Sequence, residues 1–540
     1  MASEDGPGPS IAPESSKGKG KAEWMELPDG ISQGGSSSTP GLSVVEVWNQ
    51  QNLLSLDGGG IRGYWTLLVL KRLMDCIAHE EQQQTEGDSD EYHSFHPCPF
   101  PEHVTGPLSS KESDALNRPG AEHRRRTHAL RTSRKFLPCH YFDYICGSST
   151  GGLIAIMLGR FRMTVQDCLY EYKEMGNKIF GKPRLVSQPN TGIISRPKYS
   201  ASALEEVFKD VTARRCEHVD QRIKEVTFPS MPGLCNTFVT TKKRERRKGS
   251  KGSEEKKYLI RSYDHEKSDP HIFQRNRTTT LSTKAAKTNF GPADPLEIWE
   301  VARAATAAPM YFEEIKFKRR TSTGSTKIFF TDGGFGHTNN PTQEGLSEIK
   351  SLHGESNIGV VVSVGTARAK EDPGGRSIRK RIRKLANTAT DPGIVEGYID
   401  DARLDHSFRL NDEKGINIDL DEWKPNGAFT SRPGHKTLAD MKHAFNKWCQ
   451  KSENSEAFTR CAKELVRRRR IRMEDSSRWE RYATGARFVC GYSACGNTPH
   501  YDREAFRRHL WTEHPESRED IDVVIRRMTK TWKYQIRPPP

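Results

Sequence analysis

Ser149 sits in Gly147-Ser148-Ser149-Thr150-Gly151, which fits the pattern G-x-S-x-G. Acyl transfer to a serine needs a sharp strand-to-helix turn that presents the hydroxyl above a sheet, and small neighbours let the backbone make that turn. The following helix N-terminus adds positive potential beside the reacting oxygen. Five-residue matches also arise by chance, and an ordinary Gly/Ser turn is the plain alternative. Context favours chemistry: Tyr141–Cys146 reads as a short strand, and Thr150–Gly159 starts a helix at two glycines.

A second stretch, Leu53–Thr66, reads LLSLDGGGIRGYWT. Its Gly58-x-Gly60-x-x-Gly63 spells the dinucleotide-binding fingerprint after an apolar run. That fingerprint wants a second strand ending in an acid about 20 residues on. Residues 80–95 are EEQQQTEGDSDEYHSF, which is no buried strand, so the nucleotide reading fails on context. The amides of Gly58, Gly59 and Gly60 suit a developing oxyanion instead, because no Cβ blocks close approach.

A serine nucleophile needs a base. In Ile328–Pro341 (IFFTDGGFGHTNNP), Asp332 ends an apolar strand and precedes Gly333 and Gly334. Its carboxylate can take the Ser149 proton directly if partial burial raises its basicity. The competing readings are an Asp-Gly turn and a triad containing histidine. His337 lies close behind Asp332, whereas His353, His406 and His443 sit in no recognisable context.

These groups need a sheet to hold them. Leu53–Leu56 reads as a buried strand, and Tyr64–His79 as a helix with Trp65, Leu68, Leu70, Leu73, Met74 and Ile77 at helical spacing. Further helices are expected around Leu169–Phe180, Ser202–Val211 and Pro295–Ala308, the last stopped by Pro309. Cys235–Thr241, Tyr258–Tyr263, Ile328–Thr331 and Gly359–Val364 are expected strands. Strands alternating with helices imply an α/β sandwich with a largely parallel sheet. Beyond residue 366 the chain turns charged and helical, without strong strands.

Taken in order, DGGGIRG, GSSTGG and DGG resemble the three signatures of the patatin-like phospholipase family. Ala302–Phe312 (ARAATAAPMYF), Asn339–Pro341 (NNP) and residues 361–367 (VVSVGTA) are similar to it too, so the likeness spans about residues 53–366. The resemblance implies a patatin-like three-layer sandwich with a mostly parallel central sheet. It implies a lipid acyl hydrolase with a Ser-Asp dyad, Ser149 as nucleophile and Asp332 as base. Gly58, Gly59 and Gly60, with Arg62 nearby, would be the oxyanion hole. Gly63, Gly147, Gly151, Gly333 and Gly334 would be motif glycines. Esters of phospholipids or related glycerolipids, met at a membrane surface, would be the substrates. The implied chemistry requires no cofactor and no calcium, and no D-x-D-x-D-G loop ending in Glu is present. A catalytically degenerate scaffold acting as a binding module is the alternative.

Near the C-terminal end, residues 488–514 read FVCGYSACGNTPHYDREAFRRHLWTEH. Cys490-x4-Cys495 followed by His509-x4-His514 resembles a Cys-Cys-His-His zinc finger of ββα type. Two histidines on one helical face and two thiolates from a turn give a closed tetrahedral site, so structural zinc is expected. A lone helix with surface histidines and two free thiols is the alternative. Phe488 and Phe506 are expected core residues, with Tyr501 as a further core aromatic. Arg503, Arg507 and Arg508 allow weak phosphate contact, which leaves nucleic acid as a weakly supported partner.

The whole chain has 540 residues and a net charge of +15. Its basic residues cluster at His123–Arg126, Lys242–Lys257, Arg376–Lys384 and Arg467–Arg472. Each block can attract phosphates of lipid or nucleic acid, or can be a solvated loop. The 11 cysteines are scattered, which is no disulfide framework for a chain this long. No apolar run approaches the ~18 residues of a membrane span, and no signal-type segment opens the chain. A cytoplasmic protein peripheral to membranes is therefore expected, with the last two basic blocks allowing a nuclear address. The expected plan is a disordered tail at 1–48 and a hydrolase domain at 49–366, with insertions at 80–134 and 242–257. A charged helical extension at 367–484, a finger-like unit at 485–516 and a basic tail at 517–540 follow.

Overall fold

The computed structural model describes residues 42–530 apart from 86–91, 101–134, 182–196, 216–225, 248–253, 266–288, 310, 322–323, 335–337, 368–405, 426–432 and 497–498. Its central sheet has eight strands: β1 (Gln51–Leu56), β2 (Tyr144–Ser148), β3 (Asn236–Arg247), β4 (Glu255–Arg261), β5 (Ile315–Thr321), β6 (Gly324–Asp332), β7 (Ile358–Val364) and β8 (Ser407–Leu410). The order is β5-β6-β3-β2-β1-β7-β8, with β4 also paired to β3. Strands β8, β7, β1, β2 and β3 are parallel, while β4, β5 and β6 pair antiparallel. A sheet covered on both faces is largely apolar on both, which is why β1, β2 and β7 read as mostly apolar runs, with Asn52, Ser55 and Ser363 buried among them.

The length of β3 sets up the site. Along one edge, β2 pairs parallel with Asn236–Thr240 and β6 pairs antiparallel with Thr241–Arg247. Strand β4 takes the opposite edge. So β2 and β6 run toward each other along the same edge and end face to face, Ser148 opposite Thr240 and Asp332 opposite Thr241.

Helices α1 (Val44–Asn49), α2 (Gly63–Gln83), α3 (Thr150–Ala155), α4 (Val165–Ile179), α5 (Ala201–Arg215), α6 (Ile298–Ala305), α7 (Thr342–His353), α8 (His435–Cys449), α9 (Ser452–Arg472) and α10 (Ser476–Thr484) cover the sheet. Alternate strand residues face opposite sides. Leu53 and Val361 join Leu346 and Ile349 of α7 in a smaller apolar cluster. Leu54, Leu56, Val360, Val362 and Val364 face the larger core, which the other helices build. No helix among the described residues is long and apolar enough to cross a membrane.

Several expectations need correction. The tail expected to be disordered through residue 48 stops sooner: Ser43 and Glu46 form a reciprocal capping box, and α1 buries Val47 and Trp48. Residues 1–41 lie outside the described residues. Inside the expected insertion at 80–134, α2 continues to Gln83, and Tyr92 and Phe95 are core residues. The basic stretch 242–257 is largely strand, with Arg244 on Glu314 and Lys257 on Glu344. The extension adds a strand, β8, to the sheet.

The Arg467–Arg472 block is no phosphate-attracting patch. Arg469 lies fully buried on Glu81 at 2.5 Å, Arg472 on Asp143 at 2.8 Å and Arg468 on Glu464 at 2.7 Å. A cation is tolerated in a core only against such a partner. The first two pairs bolt α9 to α2 and to the entry of β2, while the third lies within α9, so the extension is part of the main body. The blocks His123–Arg126 and Arg376–Lys384 lie outside the described residues.

The finger-like unit comprises β9 (Arg487–Val489), β10 (Pro499–His500), α11 (Arg503–Glu513), α12 (Ile521–Met528) and β11 (Thr529–Lys530). It is larger than expected: β11 pairs with β9, and Ile525 of α12 joins Phe488, Phe506 and Leu510 in its core. The expected basic tail at 517–540 therefore begins no earlier than residue 531. Tyr501 is not a core aromatic; it is 38% exposed, beneath the Arg481 guanidinium.

Candidate active site

The C-terminal ends of the parallel strands converge, as ligand sites in such sheets do. Strand β1 delivers the loop Asp57–Gly60, β2 delivers Ser149, and β7 delivers Thr366. The antiparallel β6 arrives head-on with Asp332.

Ser149 holds φ +51 and ψ −126 between β2 and α3, a left-handed backbone that is costly outside glycine. The neighbours make it feasible. A Cβ on Gly151 would run into the carbonyls of Leu56 and Asp57, so α3 can start against β1 only with glycine there. The turn aims the hydroxyl at Asp332: Ser149 Oγ donates to Asp332 Oδ2 at 2.6 Å, and Gly334 N–H donates to Asp332 Oδ1 at 2.8 Å. Asp332 is fully buried. Burial lifts its carboxyl to about 7, against the lowering influence of the Ser149 and Gly334 hydrogen bonds and the Lys242 charge. A carboxylate poised there is a competent base at neutral pH.

The glycine loop lies directly beside the serine. A Cβ on Gly58 would come within 2.9 Å of Ser149 Cβ. The Gly58 amide donates to the Asn339 carbonyl at 3.1 Å, and that of Gly59 lies 3.3 Å from Thr150 Oγ1. Gly60 takes φ +57, and a Cβ on it would overlap the Leu420 carbonyl. Its own carbonyl accepts from Tyr172 Oη at 2.6 Å. Arg62 is buried and does not line the cavity beside the dyad, so its side chain stands apart from the amides expected to share its role. Gly63 packs against Tyr172, and Gly147 and Gly333 lie in tight backbone contacts of the two turns.

Sequence reasoning missed what holds this loop. Arg409 of β8 makes two hydrogen bonds to the buried Asp57, at 2.7 and 3.1 Å. The carbonyl of Leu420 accepts the Ile61 amide at 2.8 Å. A buried Asp in the motif signals that a cation must face it, but nothing in the sequence says which. Leu420 is one apolar residue in an acidic stretch and carries no signal.

A cavity of about 80 Å³ opens from the dyad. Ser149, Asp332 and the glycines lie at its polar end, and Leu153, Met175, Ile179, Phe180, Leu204 and Phe312 make an apolar wall. Such a site accepts an ester at one end and a hydrocarbon chain at the other. No histidine among the described residues lines it. His353 bonds Tyr144 at 2.8 Å in the smaller core, His406 lies by Glu464, and His443 is exposed. His337 lies outside the described residues. At the far C-terminal unit, the ligand atoms of Cys490, Cys495, His509 and His514 all lie within 4.8 Å of one another.

Residues 127–346 match the family model described as patatin-like phospholipase. The glycine loop precedes that range, and the fold returns it to Ser149. Over 305 residues the chain is 28% identical to calcium-independent phospholipase A2-gamma of Homo sapiens, covering 54% of this chain and 34% of that protein. Phospholipase A I of Arabidopsis thaliana is 23% identical over 291 residues, 48% of this chain and 20% of that protein. A relative named probable inactive patatin-like protein 9, from the same plant, is 24% identical over 305 residues, 53% of this chain and 66% of that protein. The chain thus spans about a third of the length of the phospholipase A2-gamma relatives. With the three signatures gathered at one site on a mostly parallel sheet, the chain resembles the patatin-like phospholipase family, whose model matches its residues 127–346.

Proposed function

We propose that this chain is a calcium-independent lipid acyl hydrolase that cleaves carboxylic esters of phospholipids or related glycerolipids through a Ser149–Asp332 dyad. The observation that carries the reading is the 2.6 Å hydrogen bond from Ser149 to a buried carboxylate at the polar end of an apolar cavity. As Ser149 Oγ attacks the ester carbonyl, its proton passes to Asp332 Oδ2. The carbonyl oxygen becomes an oxyanion facing the glycine loop. With the Gly58 amide engaged by Asn339, the amide of Gly60, and that of Gly59 once it leaves its long 3.3 Å contact with Thr150 Oγ1, carry that charge. Collapse expels the alcohol or lysolipid, which takes the proton from Asp332, and leaves an acyl-Ser149 ester. Water, deprotonated by the same carboxylate, releases the fatty acid. The protein would meet its substrate transiently at a membrane surface, from the cytoplasm. A degenerate binding scaffold would have no need of a nucleophile held on a base beneath an apolar wall.

The test is fatty-acid release from vesicles of phospholipid or neutral lipid with excess calcium chelator, for wild type, Ser149→Ala and Asp332→Asn. Wild type should release fatty acid, and each variant should fall by roughly 10³-fold or more. A folded wild type silent on every ester, or a variant at the wild-type rate, would overturn the proposal.

A further inference from the structure

Apart from the dyad, the finger-like unit shows a convergence that hydrogen bonding between weak partners explains poorly. Cys490 Sγ lies 3.3 Å from His514 Nε2, Cys495 Sγ lies 3.1 Å from the same nitrogen, and Cys495 Sγ lies 3.5 Å from His509 Nε2. A neutral imidazole nitrogen has one lone pair and a thiol has one proton. One nitrogen faced by two sulfurs can be served by protons only through a shared, three-centre bond between weak partners. A single cation at the centre satisfies all four. Tetrahedral zinc with the usual bond lengths separates its sulfur and nitrogen ligands by about 3.6 Å, close to the observed spacings.

The surroundings are those of a ligand shell. Glu516 approaches Nδ1 of His514 at 3.5 Å, the outer carboxylate that orients a ligating imidazole. Tyr492 stacks on His514 and His500 lies over His509, fixing both rings. The unit's own core is one small cluster around Phe488 and Phe506, too little for a unit this short without a crosslink or metal.

We infer that Cys490, Cys495, His509 and His514 hold one structural zinc ion, and that the finger so formed is a buttress of the hydrolase body. All four positions would be filled by protein, leaving no open site for water, so the ion supplies stability and not hydrolysis. Two of the three arginines that could contact phosphate are turned to other uses. Arg503 is paired with Glu480 of α10 at 2.5 Å, and Arg507 with Asp522. Arg481 of α10 lies over Tyr501. Helix α10 in turn buries Trp479 and Tyr482 in the larger core, so the finger leans on an element the hydrolase core depends on.

The experiment is elemental analysis of the full-length protein, purified without added metal under reducing conditions, beside Cys490→Ser and His514→Ala. About one zinc per chain is expected, lost in both variants. Because a variant can fail to fold, wild type is also exchanged with cobalt, which should give the absorption of a tetrahedral two-thiolate site. Chelation should expose two thiols to a thiol reagent and lower the melting temperature. Wild type free of zinc and unable to take up cobalt, or variants that keep the ion, would overturn the site. Zinc that leaves with no fall in melting temperature would overturn the buttress. None of these readouts depends on ester hydrolysis.

Discussion

Asp332→Asn should abolish activity and, at alkaline pH, make the protein more stable. Burial raises the Asp332 carboxyl from 3.8 to about 7, a shift of about three units, or about 4 kcal/mol. Its folded value exceeds its unfolded one. Between roughly pH 4 and pH 7 the native state therefore holds a proton that the unfolded chain has released. Stability from this group is complete below about pH 4 and is lost as pH rises toward 7. Catalysis needs the opposite state. The ionised fraction, and with it kcat/KM, should climb along a limb centred near pH 7, falling to about a hundredth of its plateau at pH 5. Asparagine keeps the geometry, because Oδ1 still accepts from Gly334 and the amide can donate to Ser149 Oγ, while removing the buried charge. The variant should exceed wild type at about pH 8 by an amount bounded by about 4 kcal/mol, the advantage vanishing near pH 4. Thermal melts across that range, with initial rates on a soluble monomeric ester, read both effects. A rate flat from pH 5 to 8, or an Asp332→Asn variant no more stable than wild type at pH 8, would refute the reasoning.

Other outcomes follow from the same geometry. Gly60→Ala, placed at φ +57 against the Leu420 carbonyl, should displace an oxyanion amide and lower kcat by about 10²–10³-fold with the far-UV spectrum unchanged. Arg469→Ala removes one of the two guanidiniums on the buried Glu81 carboxylate, leaving Arg470 and the Tyr141 hydroxyl, and should cost about 1.5–3 kcal/mol in urea unfolding. Ile179→Trp fills the apolar wall of the cavity. It should reduce kcat/KM for long-chain esters about 10-fold more than for a butyrate ester, each excluded methylene losing about 0.8 kcal/mol.

The sequence was most legible where local chemistry and local geometry coincide. Ser149 and Asp332 each stand in a turn whose glycines are dictated by close backbone approach, so the residue types announce the turn. The buried strands β1, β2 and β7 were legible because a parallel sheet covered on both faces favours apolar residues on each. What stayed hidden depends on distant partners. Arg469 looked like a solvated cation because its carboxylate lies 388 residues away. Strand β8 alternates buried and half-buried residues, SFRL, over four positions, too short for periodicity to register. Strand β11 and α12 escaped notice because two residues of strand gain meaning only beside β9. Tyr501 was misassigned because the remaining core positions of the unit are filled by aliphatic side chains, Leu510 and Ile525.

The bracing of the glycine loop from beyond the family-matched segment has a consequence for biosynthesis. A nascent or truncated chain ending near residue 366 carries all three signatures, yet lacks Arg409 for Asp57, Leu420 for Ile61 and the arginines that bolt α9 to the core. Such a fragment would hold a buried carboxylate with no counter-ion and a loop with no backing. On the proposed function, hydrolysis is thereby tied to synthesis of the chain through α9: a shorter chain would carry the signatures without the parts that brace them.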